Sequence, residues 1–196
     1  MGVISRFEKF FVNRASERNA QKFLEMIRQG ISVPRGTSML ELGAGKGALS
    51  YLLYQNFVPT RLVVTDYDPS QVALAGSYFK SKLGGIPESI ETKAADALSL
   101  PFADESFDSV FARFVLHHVE KRRWHFRSIP RALNEIHRVL KVDGLLVYQE
   151  AYNKSRIQEY LATSGFDKIF EKGNWHNCFC IFRKNYPVKS PSRSEC

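Results

Sequence analysis

The amino-acid sequence predicts an α/β fold: a doubly wound, mainly parallel sheet with helices on both faces. Three observations carry that expectation. Short apolar runs alternate with segments of helical period through the first 150 residues, which is the pattern of β-α units. The runs are apolar throughout, as strands buried on both faces are. Two strand-like segments then close the chain with a short turn between them.

The elements follow in order. Residues 5–30 read as helical. Phe7, Phe10 and Phe11, and then Ala20, Phe23, Leu24 and Ile27, recur at helical spacing, and Gly30 marks the stop. Residues 38–42 form a short apolar strand, followed by helical pattern to about Gln55. "RLVVTD" (61–66) is a β-branched strand between Pro59 and Pro69. Pro69 suits the first turn of a helix over 69–83, which Gly84-Gly85 ends. "SIETKAAD" (89–96) is a weaker strand and "FDSVFARF" (107–114) a stronger one. A helix over about 130–141 leads through Asp143-Gly144 into the strand "LLVYQE" (145–150). A helix over 155–165 stops at a glycine, and strands over 166–172 and 177–184 finish the fold.

A chain of 196 residues and 22.4 kDa suits one core. Hydrophobic residues at 44% and charged residues at 24% are ordinary for a soluble globular protein. No apolar run approaches the ~18 residues that span a bilayer. Three late cysteines, Cys178, Cys180 and Cys196, make no disulfide framework, so a cytoplasmic setting is expected. His176, Cys178 and Cys180 share one strand face, but no second ligand pair accompanies them, and no metal site is expected. The net charge of +8 is uneven. Residues 1–38 carry seven basic and three acidic residues, and 120–141 carry seven and two. Such a surface favours acidic partners or serves solubility.

In an α/β sheet the ligand sits beyond the carboxyl ends of the strands. "MLELGAGKGALS" places Gly43, Gly45 and Gly47 just after the first strand. Glycine there leaves room for a close ligand and opens the helix N–H groups toward it. The spacing is neither the dinucleotide fingerprint nor a Walker loop. Asp66 ends the second strand about 20 residues later, placed to accept from both hydroxyls of a ribose. Asp68 offers a helix cap. Asp96, followed by Ala97, ends the third strand. A carboxylate beside a backbone N–H suits the edge of an adenine.

The motifs "MLELGAGKGALS", "VVTDYDPSQVALA", "AADALSLPFADESFDSVFARFVLHHVE" and "ALNEIHRVLKVDGLLVYQE" together resemble the class I S-adenosylmethionine-dependent methyltransferases. The nearest look is to the type 11, ubiquinone/menaquinone-like subgroup that methylates small molecules. The resemblance covers about residues 36–150. It implies a Rossmann-like seven-stranded sheet whose last strand is antiparallel. It implies that Glu41 lies near the methionine amino group and that Gly43, Ala44 and Gly45 pass under the cofactor. Asp66 then takes the ribose, Tyr67 packs on the adenine, Asp96 and Ala97 hold the adenine edge, and Arg113 meets the methionine moiety through its backbone. Lys141-Val142-Asp143-Gly144 stands where the family often has Lys-Pro-Gly-Gly. The domain reading is an N-terminal helical lid over 1–35, an S-adenosylmethionine-binding methyltransferase domain over 36–185 and a disordered tail over 186–196.

A sulfonium methyl is already electrophilic, so the main task is to align an acceptor in line with the C–S bond. A base is needed only where the acceptor must lose a proton. His117 and His118 in "FVLHHVE" are the candidates. The resemblance implies a small-molecule acceptor, and the motifs of the nucleobase and glutamine, cytosine and arsenic methylators are absent. The run Lys121-Arg122-Arg123-Trp124-His125-Phe126-Arg127 lies at the rim of the expected site and suits nucleic acid, a lipid surface or solvent. The competing readings are an RNA- or protein-directed enzyme using that rim, a non-catalytic cofactor-binding module, and a nicotinamide oxidoreductase. The glycine spacing speaks against the last.

Overall fold

The structure is a computed structural model that describes residues 6–119, 128–173 and 177–185, with side chains of the first helix from Ser16 onward. The elements are α1 (Arg6–Gly30), β1 (Ser38–Leu42), α2 (Ala48–Phe57), β2 (Arg61–Asp66), α3 (Pro69–Leu83), β3 (Ile90–Ala94), β4 (Phe107–Arg113), α4 (Leu116–Val119), α5 (Ser128–Val139), β5 (Leu140–Glu150), α6 (Lys154–Thr163), β6 (Phe166–Gly173) and β7 (Cys178–Lys184). The seven strands form one sheet in the order β3-β2-β1-β4-β5-β7-β6. Neighbours from β3 through β5 pair in parallel, and β7 runs antiparallel to both β5 and β6. The chain thus has the Rossmann-like, doubly wound sheet with an antiparallel last strand that was expected.

Alternation along the strands divides the core into two. Leu40, Leu42, Val63, Val110, Ala112, Leu146 and Tyr148 face α5 and α6, where Ile129, Leu133, Ile136, Ile157 and Leu161 cover them. Met39, Leu62, Val64, Phe111 and Val147 face the opposite way, under α1, α2 and α3. In α1 the buried stripe is Ala20, Phe23, Leu24 and Ile27. Phe23 meets Phe179 of β7 edge to face, with centroids 5.1 Å apart. Glu17 accepts a hydrogen bond from the Tyr78 hydroxyl at 2.6 Å and pairs with Lys82 at 2.9 Å, which ties α1 to α3. The second half of α1 is therefore built into the core of the sheet.

Three details differ from the sequence reading. The helix expected to reach 141 ends at Val139, and β5 starts at once with Leu140 opposite Phe107. The amphipathic pattern cannot mark that point, because Leu140 is buried whether it closes a helix or opens a strand. Asp143, at φ 62, forms a bulge within β5 rather than a turn before it, and the register with β4 shifts there. Asp96 lies two residues beyond β3, whose last residue is Ala94.

No helix among the described residues is long and apolar enough to cross a membrane. Among the same residues no three His, Cys, Asp or Glu side chains gather as a metal site. Cys178 and Cys180 are free and buried. The Phe7, Phe10 and Phe11 side chains, His176, the rim 121–127 and the tail 186–196 lie outside the described residues.

Candidate functional site at the carboxyl edge

The strand order reverses between β1 and β4, the switch point where a doubly wound sheet opens a crevice. The registers bring the carboxyl ends of β1 to β5 together there. Leu42 stands beside Ala112, Asp66 beside Ala94, and Arg113 beside Gln149.

The glycine turn leaves β1 with Gly43 at φ 63 and Gly45 at φ 54, conformations that side-chain-bearing residues rarely adopt. The two serve different ends. A Cβ on Gly43 would strike Val115, so Gly43 lets the β4–α4 connection come close. A Cβ on Gly45 would meet no atom within 4 Å, so Gly45 faces open space. Two bonds hold the turn in shape. The Ala44 N–H donates to the Thr65 carbonyl at 2.9 Å, and the Gly45 N–H donates to Asp66 Oδ2 at 2.9 Å. The other oxygen of Asp66 accepts from the Asp68 N–H at 3.0 Å. Asp66 is thus a brace of the glycine turn as well as a strand-end carboxylate, a role the sequence did not reveal. Asp68 caps α3 through the Ser70 N–H at 2.8 Å, as its position suggested.

Glu41 is 2% exposed. Its carboxyl accepts a hydrogen bond from the Ser50 hydroxyl of α2. Burial pushes its pKa up to about 7, against the opposing pull of Ser50 and Arg113, while Asp66 adds a smaller upward push. Arg113 ends β4 with its guanidinium 5.7 Å from the Phe114 ring centroid. Burial lowers its pKa, and the nearby Glu41 works in the other direction. Tyr67 is 77% exposed beyond β2. Asp96 turns back on its own loop, with Oδ1 accepting the Leu98 N–H at 2.9 Å, and Ala97 is buried beside it. The Ala95 N–H donates to the Asp66 carbonyl at 3.0 Å, which joins this loop to the end of β2.

Beyond β4 the chain bends sharply. Phe114 has φ 56, a strained value for a bulky residue, and its N–H donates to the Gln149 carbonyl at 2.8 Å. The bend launches α4, which carries both candidate bases. The His117 and His118 ring centroids are 4.0 Å apart, and Tyr152 lies 5.3 Å from His117. Glu150, fully buried at the end of β5, sits behind them. Its Oε1 accepts the Leu116 N–H at 2.7 Å and its Oε2 meets His117 Nδ1 at 2.8 Å. Sequence reading passed over Glu150 and Ser50. The available signal for Glu150 was the one that singled out Asp66: an ionisable residue closing an apolar strand.

The structure therefore brings Glu41, Gly43, Ala44, Gly45, Asp66 and Arg113 to one edge, with Asp96 and Ala97 on an adjoining loop and His117 beside the glycine turn through Val115. This edge offers an open cradle at Gly45, carboxylates for hydroxyl and ammonium groups, and an imidazole nearby.

A family model described as a methyltransferase domain matches residues 40–148. The uncharacterized methyltransferase YcgJ of Bacillus subtilis is 32% identical over 58% of the chain and 40% of its own length. A phosphatidylethanolamine N-methyltransferase of Cereibacter sphaeroides is 30% identical over 76% of the chain and 68% of its length. The crystal structure of the [4+2]-cyclase SpnF shares the fold at a TM-score of 0.70 and 17% identity, covering 89% of this chain and 83% of that one. The chain spans about half the length of the curated relatives it matches: 40% of YcgJ, and 54% and 53% of two demethylmenaquinone methyltransferases. With the family match over more than half of its residues, the chain belongs to the methyltransferase domain family.

Proposed function

We propose that the chain binds S-adenosylmethionine along the carboxyl edge of β1 and β2 and transfers its methyl group to a small-molecule acceptor. The observation that carries the reading is the open space at Gly45 beside the Asp66 carboxylate, whose Oδ2 accepts the Gly45 N–H. The residues fit the cofactor. Glu41 and Arg113 would meet its methionine part, Gly43, Ala44 and Gly45 would give it room, and Asp66 would accept from the ribose hydroxyls. Tyr67, exposed at the end of β2, would pack on the adenine, and Asp96 and Ala97 would hold its edge. When bound, the cofactor supplies an electrophilic methyl group on a sulfonium. The chain's part is to orient the acceptor, exclude water and receive a proton where one must leave, the role offered to His117 and His118.

Relatives named for demethylmenaquinone and for phosphatidylethanolamine support an acceptor that is neither nucleic acid nor protein. A lid over the site is proposed for the part of α1 that precedes the buried stripe. Transfer of a radioactive methyl group from S-adenosylmethionine to fractionated cell extract tests the reading. Label is expected in the small-molecule or lipid fraction. Label in RNA or protein would favour the basic rim 121–127 as the recruiting surface. Tight cofactor binding without label in any fraction would leave a binding module.

A further inference from the structure

We infer that Glu150 is a positioning residue that fixes His117 as its Nδ1-protonated tautomer, so that the pair takes the proton of an acceptor hydroxyl; the acceptor class rests on the methyl-transfer reading above. An ionised carboxylate only accepts hydrogen bonds, so a 2.8 Å contact from Glu150 Oε2 places the proton on Nδ1. Nε2 is then the nitrogen left to act as base. The second oxygen of Glu150 accepts the Leu116 N–H at 2.7 Å. Two bonds from adjacent residues to one carboxylate fix both the backbone and the ring of α4.

Exposure separates the two partners. The Glu150 side chain is 0% exposed and that of His117 is 21% exposed. The carboxylate is withheld from solvent, and the imidazole it holds stands open at the edge where an acceptor must approach. A buried carboxylate is costly unless partnered. If its only task were to receive the Leu116 N–H, a neutral amide oxygen would serve. The strained backbone at Phe114 turns the chain so that Leu116 and His117 both face Glu150. Val115, between them and the strain, packs against Gly43, which sets the pair beside the glycine turn. The titratable groups around His117 among the described residues are Glu150 on β5, His118 on α4 and Tyr152 just past β5.

The chemistry points to oxygen. A neutral amine attacks with its own lone pair and sheds its proton afterwards, and a thiol ionises near neutrality. A hydroxyl is the acceptor that needs a base during attack. In the step, the acceptor oxygen forms a bond to the methyl carbon. The methyl–sulfur bond breaks with its electron pair on sulfur, leaving S-adenosylhomocysteine. The hydroxyl proton moves to His117 Nε2, and the imidazolium formed against Glu150 passes it to water. His118 and Tyr152 give the approach an aromatic lining, which suits a phenolic or enolic hydroxyl.

Imidazole ¹⁵N spectra of the full chain test the pair without any acceptor, with His117→Asn to assign the signals. The Nδ1–H tautomer is expected in the wild type and in Glu150→Asp. Glu150→Gln should release it, so that the Nε2–H tautomer appears beside the Nδ1–H form. Calorimetry should give equal S-adenosylmethionine affinity in wild type and Glu150→Gln. With catechol and 4-nitrophenol as probes, Glu150→Gln should lower kcat by about 100-fold at unchanged KM for S-adenosylmethionine, the usual worth of a positioned base, and Glu150→Asp should recover part of it. An Nε2–H tautomer in the wild type, or a tautomer balance that Glu150→Gln leaves unchanged, overturns the pair. No transfer to the phenols, or transfer to an aniline probe instead, overturns the hydroxyl assignment. A chain that binds no S-adenosylmethionine sinks the methyl-transfer reading and the acceptor class with it, while the spectra judge the pair on their own.

Discussion

Replacing Phe23 by alanine is expected to destabilise the chain by about 3–5 kcal/mol, the range for truncating a fully buried aromatic residue. Phe23 is wholly buried between α2 and the sheet and meets Phe179 edge to face. Its ring partner Phe179 is a strand residue, which cannot close around the void without moving the sheet. At roughly 2–4 °C per kcal/mol for a chain of this size, the melting temperature should fall by about 10 °C. Urea unfolding followed by circular dichroism reads the loss. A loss below about 1 kcal/mol would mean that α1 separates easily from the sheet. The helix as a whole would then be a cover rather than a wall of the core.

Glu41→Gln is expected to change the pH dependence of stability and to weaken the cofactor. The Glu41 carboxyl has an ordinary pKa of 4.5 and is held near 7 in the fold. Between those values the folded chain keeps a proton that the unfolded chain has lost. Stability therefore falls as pH rises from about 4.5 to about 7 and is flat above. The full span is worth about 3 kcal/mol. The amide removes this contribution, so the stability of Glu41→Gln relative to the wild type should rise as pH goes from about 4.5 to about 7, and the variant should exceed the wild type above pH 7. Cofactor binding should move the other way. Only the ionised carboxylate attracts the methionine ammonium, so wild-type affinity for S-adenosylmethionine should tighten as pH rises toward 7, whereas the variant binds more weakly and without that trend. Parallel stability curves for the two chains would place Glu41 outside the buried, proton-holding environment described by Ser50, Arg113 and Asp66.

The two predictions draw on parts of the molecule that were unequally legible in the sequence. The Ala20–Ile27 stripe announced a buried helix face, yet nothing in its spacing told a core wall from a lid. That distinction depends on which surface receives the stripe, and β7, which does, lies some 150 residues further on. The strands themselves were plain, because burial on both faces forces continuous apolar runs. Their ends were nearly as plain, since Asp66 and the glycine turn break those runs. Helix α4 was not visible, because four helical residues inside "FVLHHVE" continue the apolar pattern of β4. The partnership of His117 with Glu150 was hidden for a related reason. It arises from the register that sets Arg113 beside Gln149, and strand pairing leaves no mark on either strand alone. The bracing of Gly45 by Asp66 was hidden because the same carboxylate satisfied the simpler expectation of a ribose ligand.

The account stands most directly on whether the carboxyl edge binds S-adenosylmethionine through Asp66. Isothermal titration of the purified chain at pH 7.5 should show one site in the micromolar range, on the order of −8 kcal/mol. Asp66→Ala removes both the charged hydrogen bonds to the ribose and the brace on the Gly45 N–H, and should weaken binding by about 1.5–3 kcal/mol. Absence of binding by the wild type at millimolar cofactor, or an Asp66→Ala chain that stays folded and binds as tightly as the wild type, would contradict it.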